Sequence, residues 1–575
     1  MFSLFFTLLR LGTALVWQSL LDVYVQYWPG IERPIVAVKQ GQVQGVTARL
    51  PNGSAYHYFK GIPYAKPPIG ELRFCPPVAL AKFPKPVLKC FVDKDDFSQP
   101  HQVFRYSWIV GNEDALNLNV YTPELPSEDM TKRYPVMVYI HGGGLEHGTA
   151  GSFVYDPKYF VQNGVVVVTV FYRLGPFGFL CLPSEGVQGN FGLKDQRMAL
   201  KWVHENIEAF GGDPDNVTLF GESAGGWSTY LHYLSANSRK YFHRAICQSG
   251  EACTDSILQI DPVGKARALA RLLGYKGSSD REVLETLRKA PARRLAKLQE
   301  LVISEEEKSL PLRFIFRPVI EQEDNEEAIL SQPPEKTLKA FDTIKMPLIQ
   351  GYTSGEGILS LSLNRHRLEK YDLNPEWLVP QFMGNPVDLN RTVVGEQIKQ
   401  YYCKTGKIGW KTVNETSDLF SDTTFVIPAN LSAEWLAKYQ PNAVQYHYLF
   451  SFDGRFSIAK KLHNINQVEG ASHGDDCMYM FSPSFLANLP NDSDEAQVRN
   501  TLVKMWTNFA KYNDPTPDAG GLNFKWKPVV KMGLEATSFD LDCLEINIKP
   551  KMVKNPYAER KEFWRELMRK YTNLI

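Results

Sequence analysis

The chain has 575 residues, 44% hydrophobic and 22% charged, with 64 basic against 63 acidic side chains and a formal net charge of +1. That balance suits a large globular core and leaves no electrostatic footprint for nucleic acid or another polyanion. No solenoid or propeller period, low-complexity tract, CxxC pair or metal-ligand spacing is present, so neither a repeat architecture nor a metal or organic cofactor is implied.

The first thirty residues, MFSLFFTLLRLGTALVWQSLLDVYVQYWPG, stand apart from the rest. Their polar residues Ser3, Thr7, Arg10, Gln18, Asp22 and Gln26 recur at helical spacing, which predicts a very apolar helix with a narrow polar stripe. No basic residue leads the segment and Arg10 interrupts the apolar run, so it departs from the usual secretory leader. Three readings stay open: a helix lying in a membrane interface through residues 1–28, a cleaved signal or signal-anchor, and a helix packed on its own domain. The organisation expected is therefore residues 1–30 as a separate hydrophobic helix and 31–575 as one large domain.

After Pro29-Gly30 come short strand-like runs, Ile35–Val38 and Val43–Thr47. From about residue 134 long apolar runs alternate with amphipathic helices. Val136–Ile140 and Val165–Phe171 read as strands buried on both faces. Gly192–Phe210 reads as a helix, Val217–Phe220 as a strand and Ala224–Ser235 as a helix; further strands are expected at Pro347–Gly351 and Ala443–Phe450. Alternating strands and helices predict an α/β fold: a large, mostly parallel central sheet with helices on both faces. Residues 255–345 and 360–440 read as mainly helical insertions roofing the sheet.

Between the strand VTLF and its following helix lies Gly221-Glu222-Ser223-Ala224-Gly225, a G-x-S-x-G pentapeptide. Strand, tight turn and helix are the context of a nucleophile elbow, with Ser223 lifted to the head of the helix. A serine needs a base, an orienting acid and an oxyanion site. YIHGGGLEHG follows the strand VMVYI, and its bare amides at Gly143 and Gly144, with that of Ala224, make a three-donor oxyanion hole. The acid is placed at Glu356, between Gly355 and Gly357 at a strand end, and the base at His473 in the loop GASHGDD. His463 and His447 are weaker candidates because neither sits in a glycine-framed loop, and His141 reads as a brace for the glycine loop. Leu145, next after the triple glycine, and Glu222, inside the pentapeptide, are candidate substrate-pocket residues.

With these motifs collected, the chain resembles the type B carboxylesterases, the carboxylesterase/cholinesterase family of α/β-hydrolases. FKGIPYAKPPIGELRF, NEDALNLNVYTP, YIHGGG, YRLGPFGFL, GNFGLKDQRMALKWVHENIEAFGGDPDNVTLFGESAGG, FHRAICQSG and GASHGDD stand in family order from about residue 34 onward. LLGYKG and DCLEINIKPKMV are most similar to the insect α-esterases. The resemblance implies the same residues in the same roles: Ser223 as nucleophile, Glu356 as acid, His473 as base, and Gly143, Gly144 and Ala224 as oxyanion donors. It also implies small-molecule ester substrates and inhibition by organophosphates and carbamates.

The departures from the family pattern also bear on function. Ala115 stands where the family commonly has a disulfide cysteine, and the usual partner segment, FSQP, offers Ser98. Losing both halves of that bridge suits a reducing compartment, and the remaining cysteines read as free thiols, with a bridge between Cys247 and Cys253 left open. Leu145 replaces the usual Phe after the glycine loop, and EACTDSILQ after Ser249-Gly250 lacks the usual acyl-pocket Trp. Six N-x-S/T sequons, at Asn52, Asn216, Asn390, Asn414, Asn430 and Asn491, point the other way, to the secretory pathway. The expectation is a broad carboxylesterase for xenobiotic or lipid esters, intracellular and peripheral to the ER or a lipid-droplet surface. The alternatives are a secreted, glycosylated protein, a hormone-specific esterase of the juvenile-hormone type (against which GESAG rather than GQSAG argues weakly), and a non-catalytic binding module of the neuroligin or glutactin kind.

Overall fold

The computed structural model describes residues 2–101, 105–128, 132–253, 257–322, 325–384, 386, 389–486 and 489–575. Its centre is an eleven-stranded sheet. The strands are β1 (Val46–Arg49), β2 (Ala55–Pro63), β3 (Asn117–Thr122), β4 (Tyr134–Ile140), β5 (Val166–Val170), β6 (Gly212–Glu222), β7 (Arg244–Gln248), β8 (Leu348–Thr353), β9 (Gln445–Phe450), β10 (Asp542–Ile546) and β11 (Lys551–Lys554). Their order is β11-β10-β9-β8-β7-β6-β4-β5-β3-β2-β1. From β5 through β4, β6, β7, β8 and β9 to β10 every pairing is parallel, and antiparallel strands close both edges. This is the mostly parallel sheet that the alternating pattern predicts, and the α/β-hydrolase architecture that the family resemblance implies.

The central strands are apolar throughout because successive side chains enter different cores. Val136, Val138, Ile140, Val166, Val168, Leu219 and Ala245 face one core, against the helices Phe191–Asn206 and Ala224–Leu234. Met137, Tyr139, Val167, Phe220 and Ile246 face the other, against the helix Asp494–Tyr512 through Val498, Leu502, Trp506 and Phe509. Helices thus cover both faces, and the strand ends that carry the motifs are held in a sheet with no solvated side.

Two local expectations need correction. The run Val43–Thr47 is not one strand: it splits at Gly45 into Gly41–Gln44, in a separate three-stranded sheet, and β1 of the main sheet. The Gly45 amide donates to Pro34 O at 2.9 Å, so the chain changes sheets there. The insertion at 255–345 is helical at Pro262–Leu272, Asp280–Lys289, Ala292–Leu298 and Pro334–Lys339, but the described residues between 310 and 333 form no helix. Side chains there take the place of helical bonds: Glu146 accepts from Ile315 N at 2.7 Å, Asn190 from Val319 N at 2.9 Å and Glu321 from Ile329 N at 2.8 Å.

The helix Phe2–Tyr27 precedes all of this. Arg33 closes its C-terminal end, donating to Val25 O, Gln26 O and Trp28 O at 2.9–3.2 Å. All eight cysteines are free, Cys247 and Cys253 included, and Ser98 and Ala115 are both buried. The Ser98 amide donates to Asn112 O, so the two segments run side by side without a covalent link.

Candidate active site

The chain leaves β6 at Glu222 and enters the helix Ala224–Leu234 through Ser223, whose φ of 58° and ψ of −126° are costly for a residue with a side chain. The Ser223 amide donates to Gln248 O at 2.8 Å, and its carbonyl accepts from Trp227 N at 2.9 Å, so the turn is pinned on both sides. A methyl group on Gly225 would lie 2.0 Å from Ile140 O, and one on Gly221 would lie 2.4 Å from Gly225 O. The two glycines of the pentapeptide are therefore there for close backbone approach, which is what lifts the serine clear of the sheet.

The glycine loop leaves the end of the neighbouring strand, β4. His141 is its brace: its ring stacks on Tyr172 at 4.5 Å, Nδ1 lies 2.8 Å from Gly142 O, and the Tyr172 hydroxyl donates to His141 O at 2.8 Å. Burial pushes this imidazole down to about 4, so it stays neutral at physiological pH. The Gly143 carbonyl accepts from Glu146 N and His147 N at 3.2 and 3.1 Å, turning the loop back on itself. The amides of Gly143 and Gly144 donate to no acceptor among the described residues, and Ala224 opens its helix with a free first-turn amide. Three unengaged amide donors thus stand on the glycine loop and at the head of the elbow helix.

Glu356 follows β8 and is fully buried. One oxygen accepts from Thr353 N at 2.7 Å and from Ser249 Oγ at 2.6 Å; the other lies 2.5 Å from His473 Nδ1. The loops carrying Glu356 and His473 are laced together by Gly355 N to Ala471 O at 2.8 Å and Ala471 N to Ser354 Oγ at 2.9 Å. Phe425 stacks on the His473 ring with centroids 4.5 Å apart, fixing its plane. No hydrogen bond joins His473 Nε2 to Ser223; its nearest ionisable neighbour is Glu222 Oε1 at 3.2 Å, in a contact without hydrogen-bond alignment.

Glu222 therefore lies beside His473. Burial, and the neighbouring Asp476 and Glu356, raise its carboxyl to about 7, against the opposing pull of His473. Burial alone would lower His473, but Glu356 and then Glu222 outweigh it and raise the imidazole to about 9. The two groups face each other in a buried site and share one problem: how much negative charge can surround the ring.

Leu145 is buried, with a φ of 61° and a carbonyl that accepts from Gly175 N at 2.7 Å, a loop-shaping place. The cavity at the elbow helix is walled by other residues, among them Trp227, Glu251, Phe314, Arg317, Phe420 and Pro428. Trp227 stands one turn after Ser223 and meets Phe314 edge to face at 5.5 Å, while the Phe314 ring covers Gly144. Two aromatic rings, one from the elbow helix and one from the segment anchored by Glu146, thus meet beside the glycine loop. Sequence reasoning missed Phe314, Phe425 and the Ser249 bond to Glu356. Only the Ser-Gly pair at 249–250, already visible as a motif, pointed toward one of them. Among the described residues no group of three or more His, Cys, Asp or Glu side chains could hold a metal.

The carboxylesterase family profile matches residues 32–564. The juvenile hormone esterase of Tribolium castaneum is 34% identical over 92% of this chain and 93% of its own length. Esterase B1 of Culex pipiens is 33% identical over 93% and 98%, and esterase FE4 of Myzus persicae is 32% identical over 87% of each. Among solved structures, the juvenile hormone esterase of Manduca sexta with OTFP covalently attached superposes with a TM-score of 0.80 at 28% identity, covering 94% of this chain and 100% of that one. Taken with the strand order, the elbow and the Glu356–His473 contact, these likenesses establish that the chain belongs to the carboxylesterase family and is a carboxylic ester hydrolase.

Proposed function

We propose that hydrolysis runs through Ser223, His473 and Glu356 in two steps. Ser223 attacks the ester carbonyl as His473 takes its proton, and Glu356 orients the ring and stabilises the imidazolium. The amides of Gly143, Gly144 and Ala224 hold the oxyanion, a contribution of the order of 10²–10³ in rate per donor in such sites. The alcohol leaves, and water activated by His473 releases the acid. The observation that carries this reading is the 2.5 Å contact between Glu356 and His473, on loops laced together beside the strained serine elbow. The test is covalent: an organophosphate should phosphorylate, and a carbamate carbamylate, Ser223 alone with loss of activity. Mass spectrometry that finds the adduct on another residue overturns the assignment.

Breadth of substrate is part of the proposal: xenobiotic or lipid esters, supported by relatives named simply as esterases. A hormone-specific reading is favoured instead by the juvenile hormone esterases among the similar proteins. An ester panel that includes a juvenile hormone decides between them, since a specific enzyme turns over one class at least about a hundredfold better by kcat/KM.

We further propose residues 1–30 as a unit that meets a membrane or lipid-droplet surface and 31–575 as the catalytic unit. Support comes from the exposed apolar side chains of the first helix, Trp17 at 72% and Tyr27 at 77% exposure, with Leu15, Val16, Leu20, Leu21 and Val23 also exposed. No described helix is long and apolar enough to cross a membrane. For the secreted alternative, Asn52, Asn390 and Asn491 are exposed sequons, whereas Asn430 lies buried inside the helix Ile427–Tyr439 and cannot carry a glycan in the folded chain.

A further inference from the structure

The ring that covers His473 comes from an irregular piece of helix. Between the helices Val413–Ser421 and Ile427–Tyr439 the chain makes one widened turn, Asp422–Val426, in which Ile427 N donates to Asp422 O five residues back. The hydroxyls of Thr423 and Thr424 donate back to Leu419 O at 3.0 Å and Phe420 O at 2.5 Å. Turns of this π type are rare and recur at functional sites.

This one is fixed from outside as well. Asp422 is buried and accepts from the Tyr402 hydroxyl and from Arg560 Nη2, the latter at 2.8 Å. Ser421 Oγ accepts from Gly357 N, next after Glu356, at 2.8 Å. The turn is therefore tied to the Glu356 loop at its start, and from its middle it lays the buried ring of Phe425 on His473. The centroids are 4.5 Å apart and the planes are inclined by 28°, so the imidazole meets the face of the ring, where the π electrons concentrate negative charge.

The other neighbours of His473 approach differently. Glu356 Oε2 lies 2.5 Å from Nδ1 and Glu222 Oε1 lies 3.2 Å from Nε2, both at the nitrogens, and Asp476 adds a weaker pull in the same direction. Asp475, raised to about 8 by burial, accepts from Ser472 N at 2.7 Å and so shapes the loop just before the ring. The carboxylates act on the edge of the imidazole, whereas Phe425 acts on its face.

We propose that Phe425 is a positioning residue, whose stacked ring holds His473 toward Glu356 and whose negative face favours the imidazolium formed as Ser223 gives up its proton. This deepens the reading of His473 as the base and rests on it. A cation over an aromatic face in a buried site is worth roughly tenfold in an equilibrium or a rate.

The experiment replaces Phe425 by phenylalanines carrying one, two and five fluorines, which keep the shape of the ring while draining negative charge from its face. Along that series kcat on a nitrophenyl ester should fall stepwise to roughly a tenth, with KM changed by less than about twofold. The acid limb of kcat/KM should move stepwise to lower pH, by about one unit for five fluorines, because the imidazolium loses support. Phe425→Leu, which removes the ring, should place the limb where the pentafluoro form does. A merely structural role would leave the limb fixed across the fluorinated series. His473→Ala is measured alongside. An inactive His473→Ala together with an unmoved acid limb overturns the role of Phe425 and leaves the base standing; an active His473→Ala overturns the base, and the role of Phe425 falls with it.

Discussion

The strand-end loops and the first helix are built on opposite principles. Around the site the loops are tied down by many hydrogen bonds: Glu356 accepts from Thr353 and Ser249 and touches His473, the loops at 354–356 and 470–473 are cross-bonded, and Ser223 is tied to Gln248. The helix Phe2–Tyr27 is held near its C-terminal end by Arg33 and along its side by weak contacts such as Ser484 Oγ to Gln18 at 3.5 Å, with apolar side chains turned outward. The contrast teaches where sequence change is tolerated. A loop whose geometry is fixed by many bonds to a buried sheet resists substitution atom by atom, whereas an exposed helix tolerates any exchange that keeps its hydrophobic character.

Substitutions should separate the two regions in order of severity. Ser223→Ala removes the proposed nucleophile and should lower kcat on nitrophenyl esters by about 10⁴-fold or more with fold and thermal stability intact; activity within tenfold of wild type would break the mechanism. Gly225→Ala forces a methyl group against Ile140 O, 2.0 Å away, and should cost about 3 kcal/mol or prevent folding, read as a fall in thermal midpoint and soluble yield.

Glu222→Gln is gentler and sharper. A carboxylate beside His473 helps hold a proton on the ring, and that proton must be gone before the ring can act as base. Removing the charge lowers the imidazole pKa, so the acid limb of kcat/KM against pH should move to lower pH by roughly one unit. No movement would mean that Glu222 is already neutral in the free enzyme.

The smallest effect on chemistry belongs to the helix. Removing residues 2–24 should change kcat by less than about twofold and abolish co-sedimentation with lipid vesicles. A mature chain that begins near residue 19–30 in extracellular fluid, with glycan on Asn52, Asn390 or Asn491, would break the membrane reading instead.

Much of this was legible before any coordinates. β4, β5, β8 and β9 stand within one or two residues of the runs read from the sequence, because strands buried on both faces are apolar throughout and are bounded by turn residues. β6 was legible only at its core: Val217–Phe220 is its apolar part, while the polar lead-in from Gly212 carries no strand signal. β2, β3, β10 and β11 went unread as strands, since near the sheet edges their mixed composition resembles loops and only pairing to a neighbour makes them strands. The segment between residues 310 and 333 misled for the converse reason: its amides are satisfied by Glu146, Asn190 and Glu321, partners more than a hundred residues away in the first two cases and invisible to local pattern.

What the amino-acid sequence determined by itself is therefore the set of local geometries: apolar strands, a glycine-framed elbow that only bare backbone can make, and the order serine, acid, histidine along the chain. Neighbourhood was decided in three dimensions. Tertiary structure set Glu356 against one nitrogen of His473 and Glu222 beside the other, and brought Trp227 and Phe314 together edge to face. The reason is physical: backbone conformation is written in near neighbours, whereas burial, charge and the meeting of side chains depend on residues the chain brings back from hundreds of positions away.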